Sequence, residues 1–139
     1  MIDCTAPVLP QRIGKYRVIR RLGEGTTSEV FLCHDEFNDR PVAVKQVRAS
    51  VLSDTNDGHM FSRFFASEAA LAGRLHHPNV VEIFDAVPDP VAPYVVMEYV
   101  PGTTLRAFCA PDHLLPLDQI VEIGFKCAMA LGYCYRQGL

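Results

Sequence analysis

One stretch decides the fold: Ile19-Arg-Arg-Leu-Gly-Glu-Gly-Thr-Thr-Ser-Glu-Val-Phe-Leu-Cys33, followed after a short turn by Val42-Ala-Val-Lys45. Alternating apolar residues run into Gly23 and Gly25 and resume at Val30, which predicts two strands joined by a hairpin with the glycines at its tip. Glycine lets the backbone approach an anion closely and offer its N–H groups, and a lysine on the next strand can bring a positive charge to the same anion. The stretch therefore predicts a flap over phosphate groups.

The context of the glycines separates this flap from other phosphate-binding loops. A dinucleotide-binding fingerprint opens a helix, whereas the residues from Ser28 to His34 include β-branched and aromatic side chains and predict a strand. The ending Gly-Lys-Ser/Thr of the other common phosphate loop does not occur in the sequence. The sequence resembles the protein kinase family: Gly23-x-Gly25-x-x-Ser28-x-Val30 is similar to its glycine-rich loop, and Val42-Ala-Val-Lys45 to its third-strand lysine motif.

Composition is that of an ordinary globular domain. The chain has 139 residues, of which 49% are hydrophobic and 21% charged, enough for one core. A net charge of -3 gives no basic footprint, so nucleic acid is not the expected partner. Five cysteines without Cys-x-x-Cys spacing, and no secretory leader before them, predict reduced thiols in a cytoplasmic protein. No apolar run approaches the ~20 residues of a membrane span.

The order of elements predicts an α+β fold. After the third strand, a helix is expected from about Met60 to Leu75, because its apolar residues follow helical spacing. Two further strands are expected from Asn79 to Ala86 and from Ala92 to Val100. A short helix at Thr103 to Phe108 and a long one at Leu117 to Gln137, capped by Gly138, complete the pattern.

The resemblance gives this pattern a domain organisation. Residues 1–12 would be a flexible leader, and residues 13–97 a kinase small lobe with a five-stranded antiparallel sheet and one helix. Residues 98–102 would form the hinge, and residues 103–139 the first helices of an incomplete large lobe.

The resemblance also assigns roles to single residues. Lys45 would bind the α and β phosphates of ATP, and Glu68 on the predicted helix would hold that lysine by an ion pair; these two are the expected catalytic residues. Val30 and Ala43 would cover the adenine ring. The hairpin would cover the phosphates and contribute these nucleotide-binding positions: Leu22, Gly23, Glu24, Gly25, Thr26, Thr27, Ser28, Glu29 and Val30.

The stretch from Tyr94 to Leu105 resembles the hinge of the family. By position, the carbonyl of Glu98 and the N–H of Val100 would bind the adenine edge, and the side chain of Met97 would lie at the back of the pocket. His76 and His77 are adjacent and have no further ligand at metal spacing, so a turn before Pro78 is the better interpretation, and no metal site is expected in this chain.

The sequence lacks the two motifs that supply the general base and the metal ligands in this family. His-Arg-Asp-x-Lys-x-x-Asn would supply the general base and one metal ligand, and Asp-Phe-Gly another, and neither motif occurs here. The chain is therefore interpreted as the ATP-binding amino-terminal part of a bacterial serine/threonine kinase, inactive alone. Magnesium and a protein substrate are expected for the complete kinase.

Two further interpretations stay open. The chain can instead belong to a pseudokinase-type module that binds nucleotide or acts as a scaffold without catalysis. The last helix carries an apolar stripe that the large lobe of a complete kinase would bury. In these 139 residues the stripe predicts a homo-oligomer, because exposed stripes of this kind tend to be buried; the alternative is that the helix folds back on the small lobe or frays. The members of the stripe are Ile120, Ile123, Cys127, Leu131 and Tyr135.

Overall fold

The computed structural model describes residues 9–48, 70, 73–89 and 91–139. The predicted helix from Met60 to Leu75, with Glu68, lies almost entirely outside these residues. Among them, no helix combines the length and the apolar character that a membrane span requires. The described residues fall into two compact units. The first consists of the described residues up to Arg74 together with Ile83–Tyr99, and the second consists of Leu75–Glu82 and Val100–Leu139.

The first unit contains a six-stranded antiparallel sheet. Its strands follow one another in space in the order β1, β2, β3, β4, β6, β5. Their bounds are β1 Arg12–Ile13, β2 Tyr16–Glu24, β3 Ser28–Asp35, β4 Arg40–Val47, β5 Ile83–Val87 and β6 Tyr94–Glu98.

The centre of the sheet is the uninterrupted pairing of β3 with β4, from Ser28 opposite Val47 to Asp35 opposite Arg40. The turn between these strands is held by the Asp35 carboxylate. It accepts hydrogen bonds from the N–H groups of Phe37 and Asn38 at 3.1 and 3.3 Å and from the Asn38 side-chain amide at 2.7 Å. The Asn38 side chain is the main reason that the pKa of Asp35 lies below its usual value.

One face of the sheet forms the hydrophobic core. Tyr16 and Tyr94 meet edge to face there, with ring centroids 6.3 Å apart. Val18, Phe84 and Val87 pack against the cluster from its margin. The buried members of the cluster are Ile13, Tyr16, Phe31, Cys33, Val42, Val44, Tyr94 and Val96.

The strand predictions need two corrections. The sheet has a sixth strand, β1, which begins at Arg12, within the segment predicted as leader; a two-residue strand is too short to show alternation. The strand predicted from Asn79 begins only at Ile83. Before it lies a turn, in which the N–H of Val80 donates to the carbonyl of His77 at 3.0 Å and the N–H of Asn79 to the His77 Nδ1 at 3.1 Å.

The second unit contains a 3-10 helix, Leu105–Phe108, and the helix α1, Leu117–Arg136. Pro116 precedes α1, where a proline suits the start of a helix. The helix ends in a Schellman motif: Gly138 has a φ of +86°, and the N–H of Leu139 donates to the carbonyl of Cys134 at 3.2 Å. The apolar side chains of α1 are largely exposed, Leu131 by 71% and Tyr135 by 80%.

We predict that native alkylation with iodoacetamide separates the cysteines by burial. Cys33 is fully buried in the core, and burial raises its pKa to about 11, so few thiolates exist to react near neutral pH. Cys109 and Cys127 are exposed and serve as internal controls. Mass spectrometry should find these two modified and Cys33 intact until the chain is unfolded, and rapid labelling of Cys33 in the native chain would contradict the core described here.

Candidate functional site

The glycine motif and the lysine motif share one face of the sheet. Gly23 of β2 lies opposite Val30 of β3, and Val30 lies opposite Lys45 of β4, which in turn lies opposite Val95 of β6. Directly opposed residues in antiparallel strands project their side chains to the same side. Lys45 is therefore on the face that Gly23 leaves open, away from the hydrophobic core.

A second row on this face is mostly apolar. Leu32 lies opposite Ala43, and Ala43 lies opposite Met97, which is also paired with Ile83 of β5. Ala43 is buried, and the other three are half-buried. A strip of apolar side chains beside one positively charged group has the chemistry of a site for a ligand with an apolar ring and an anionic tail.

Gly23 and Gly25 are not required by the backbone conformation of the hairpin. Neither has a positive φ, so an ordinary residue could adopt both conformations. A Cβ added to Gly23 would meet nothing within 4 Å, and one added to Gly25 would meet only the Ser28 carbonyl oxygen at 3.5 Å. Space therefore exists for a ligand to approach the backbone on the Lys45 face.

The sequence predicted the glycines at the tip of the hairpin, and this prediction is wrong. Gly23 belongs to β2, and Gly25 follows the strand directly, with its N–H donating to the Ser28 carbonyl at 2.8 Å. Thr26 and Thr27 form the tip. The difference arises because strand pairing continues to Glu24 opposite Glu29, past the first glycine.

Two of the predicted nucleotide-binding positions direct their side chains elsewhere. Glu24 and Glu29 oppose each other on the core side of the sheet, where both contact arginine side chains. The hydrogen bond from Arg48 is the main reason that the pKa of Glu24 lies below its usual value, and the charge of Arg21 lowers it further. Leu22 is half-buried at an irregularity of β2, where the register does not assign it a face.

Of the remaining predicted residues, Ser28 lies on the same face as Val30, two residues away along β3. Glu98 ends β6 opposite Val42 in the first unit, whereas Val100 is exposed and belongs to the second unit. Ser28 begins β3 opposite Val47. Glu68, the predicted partner of Lys45, lies outside the described residues.

Comparison with known proteins decides the family. The sequence model described as "Protein kinase domain" matches residues 16–139. The chain belongs to the protein kinase family. This family is a class of enzymes. The comparisons confirm the kinase-like fold, and they also confirm the resemblance to bacterial serine/threonine kinases that the motifs predicted.

The similar curated proteins are bacterial. The chain is 36% identical over 135 residues to a probable serine/threonine-protein kinase of Streptomyces coelicolor, and the match covers 94% of the chain and 20% of that relative. It is 32% identical over 123 residues to serine/threonine-protein kinase PrkC of Bacillus subtilis, covering 88% and 18% of the two sequences. The chain thus spans about a fifth of the length of these relatives.

Solved structures agree with the fold. The crystal structure of the kinase domain of Mycobacterium tuberculosis PknI matches with a TM-score of 0.75 and 27% identity. The match covers 95% of the present chain and 53% of that one.

Sequence reasoning missed several residues of the candidate site. Leu32 and Val95 occupy the same face as Lys45, and alternation along β3 and β6 from the named motifs was a signal that could have identified them. Arg21 and Arg48, which lie behind the site, had no such signal, because the contacts of Arg21 with Glu29 and of Arg48 with Glu24 join different segments of the sheet.

We predict that Gly23→Ala leaves the stability of the chain unchanged or raises it by less than about 1 kcal/mol, because the conformation is compatible and the space is empty. Gly14→Ala is the matched control. Gly14 has a φ of +53°, and its added Cβ would overlap the Tyr94 hydroxyl, so this change should lower the free energy of unfolding by roughly 1–3 kcal/mol. Urea titration followed by circular dichroism measures both, and a Gly23→Ala loss as large as that of Gly14→Ala would show that the fold itself requires Gly23.

Proposed function

We propose that this chain is the ATP-binding part of a serine/threonine protein kinase, which transfers the γ-phosphoryl group of ATP to hydroxyl groups of proteins. The observation that carries the proposal is the shared face of Gly23, Val30 and Lys45, set by direct strand pairing. It combines a backbone open to close approach, an apolar surface and a cation. Membership of the kinase family and the names of the bacterial relatives support the reaction and its class.

In this proposal the hairpin and β4 both contribute groups that contact the adenine ring and the phosphates of ATP. Val30 and Ala43 contact the adenine ring, since both are apolar and belong to adjacent rows of the same face. The backbone N–H groups around Gly23 and Gly25 donate to phosphate oxygens, and Lys45 neutralises part of the phosphate charge. Catalysis of phosphoryl transfer depends chiefly on such positioning and charge neutralisation.

Further residues complete the proposed site. By the likeness to the family, Glu68 would form an ion pair that orients Lys45, Met97 would lie against the adenine ring, and the backbones of Glu98 and Val100 would bind its polar edge. Magnesium, when bound, neutralises phosphate charge, and the family motifs that would hold it do not occur in these residues. We propose accordingly that the 139 residues bind ATP but do not transfer phosphate by themselves, and that the protein acts in cytoplasmic signalling.

We predict that Lys45→Met weakens ATP binding about tenfold and leaves adenosine binding unchanged, because a charge-assisted hydrogen bond to phosphate is lost while the contacts to the base remain. Calorimetric titration with ATP and magnesium, and separately with adenosine, measures the two affinities. Lys126→Met is the matched control, since Lys126 is half-exposed on α1 and pairs with Glu122. Equal ATP affinity in the wild type and in Lys45→Met would refute the proposed nucleotide site.

We also predict that the chain associates with a second copy of itself through α1. The predicted stripe on this helix is largely exposed in the folded chain, and Leu117 extends it, so association would remove apolar surface from water. Light scattering at rising concentration should show a mass above that of the monomer, and Leu131→Asp should reduce it. Gln119→Asp, on the same helix, adds the same charge at an exposed polar position. A monomer at every concentration would contradict the prediction.

A further inference from the structure

The end of the glycine hairpin contains an electrostatic conflict. Glu24 of β2 and Glu29 of β3 are the last directly opposed pair before the turn. Carboxylates at such positions are about 5 Å apart at their Cβ atoms and repel each other, which favours separation of the two strands. A hairpin that must hold its backbone in a fixed place therefore needs a counter-charge at this point.

Two arginines, Arg21 in β2 and Arg48 just after β4, supply that charge. The Arg21 Nη1 group donates to Glu29 at 3.0 Å and lies 2.9 Å from a carboxylate oxygen of Glu24. Arg48, directly after β4, donates to the other oxygen of Glu24 and lies 4.0 Å from Glu29. Each arginine thus contacts both carboxylates, and the four charges cancel. We call these four residues, Arg21, Glu24, Glu29 and Arg48, the hairpin clamp.

The hairpin clamp joins the ends of β2, β3 and β4. A backbone hydrogen bond also links the end of β4 to the tip of the hairpin: the N–H of Arg48 donates to the carbonyl of Thr27 at 3.0 Å. By register, Glu24 and Glu29 project away from the face of Gly23 and Lys45. The clamp can therefore hold the hairpin from behind without occupying the space where a ligand would lie.

We propose that Arg21 and Arg48 are positioning residues for the phosphate groups of the nucleotide. Through Glu24 and Glu29 they fix the glycine hairpin over the face that carries Lys45, so that its N–H groups are oriented before ATP binds. This inference rests on the proposed ATP-binding function. It differs from that function in naming four charged side chains that do not touch the nucleotide and yet set its affinity.

The test is a nuclear magnetic resonance titration of the 139-residue chain with ATP and magnesium, and in parallel with adenosine. Arg48→Gln should weaken ATP binding about two- to fivefold, the range expected from losing a partly exposed ion pair. Adenosine has no phosphates, so its affinity should not change. Arg48→Lys, which keeps the charge, should recover part of the loss. A change that merely destabilised the fold would weaken both ligands alike.

Glu24→Ala separates positioning from a general effect of charge. Removing a carboxylate makes the site more positive, so a simple field effect would strengthen ATP binding, whereas loss of the hairpin clamp should weaken it. Arg12→Gln is the matched control, because Arg12 pairs with Glu36 at 2.7 Å at the opposite end of β2 and β3.

Three outcomes would overturn the inference: unchanged ATP affinity in Arg48→Gln, an equal loss for adenosine, or stronger ATP binding in Glu24→Ala. Lys45→Met, measured in the same series, distinguishes the two proposals. If Lys45→Met weakens ATP binding and Arg48→Gln does not, only the hairpin clamp is refuted. If Lys45→Met has no effect, the nucleotide site itself is refuted.

Discussion

The pairing of β3 with β4 is the constraint on which the rest of the structure depends. Side chains in a strand alternate between two faces, so the register that puts Val30 opposite Lys45 also puts Phe31 opposite Val44. The first pair belongs to the candidate site, and the second is buried in the core. A slip of one residue would exchange the two sets and bury Lys45 where Val44 now lies. Core packing thus determines the position of the charged group as well as the stability of the sheet.

The residue types of β4 show how strongly this register is specified. Val42 and Val44 are fully buried, and Ala43 and Lys45 occupy the alternate positions on the other face of the sheet. Burial of the valines is favourable by roughly 1.5–3 kcal/mol each relative to exposure, whereas a lysine is almost never fully buried without a partner. Hydrophobic burial and the cost of desolvating a charge therefore favour the same pairing.

Much of the sheet could be predicted because these forces leave a period of two in the sequence. β3, β4 and β6 were found within a few residues of their bounds, and α1 ends one residue before the predicted terminus. The irregularities could not be predicted. β2 shifts register at Ile19 and again at Leu22, and no local pattern marks such bulges. The contacts of Arg21 and Arg48 depend on where those bulges place Glu24, so they became visible only in three dimensions. The pairing of Lys45 with Glu68 stays a prediction.

The two halves of the candidate site differ in how they are attached to the sheet. Lys45 lies on β4, which is hydrogen-bonded to a strand on each side, so exposing its backbone requires opening the centre of the domain. Gly25 lies beyond the last pair of a hairpin and is joined by a single backbone hydrogen bond to Ser28. Local opening of a protein is rare in such central strands and frequent at such ends. The charged group is therefore anchored at the centre of the sheet, whereas the position of the glycine backbone depends on the contacts at the end of the hairpin.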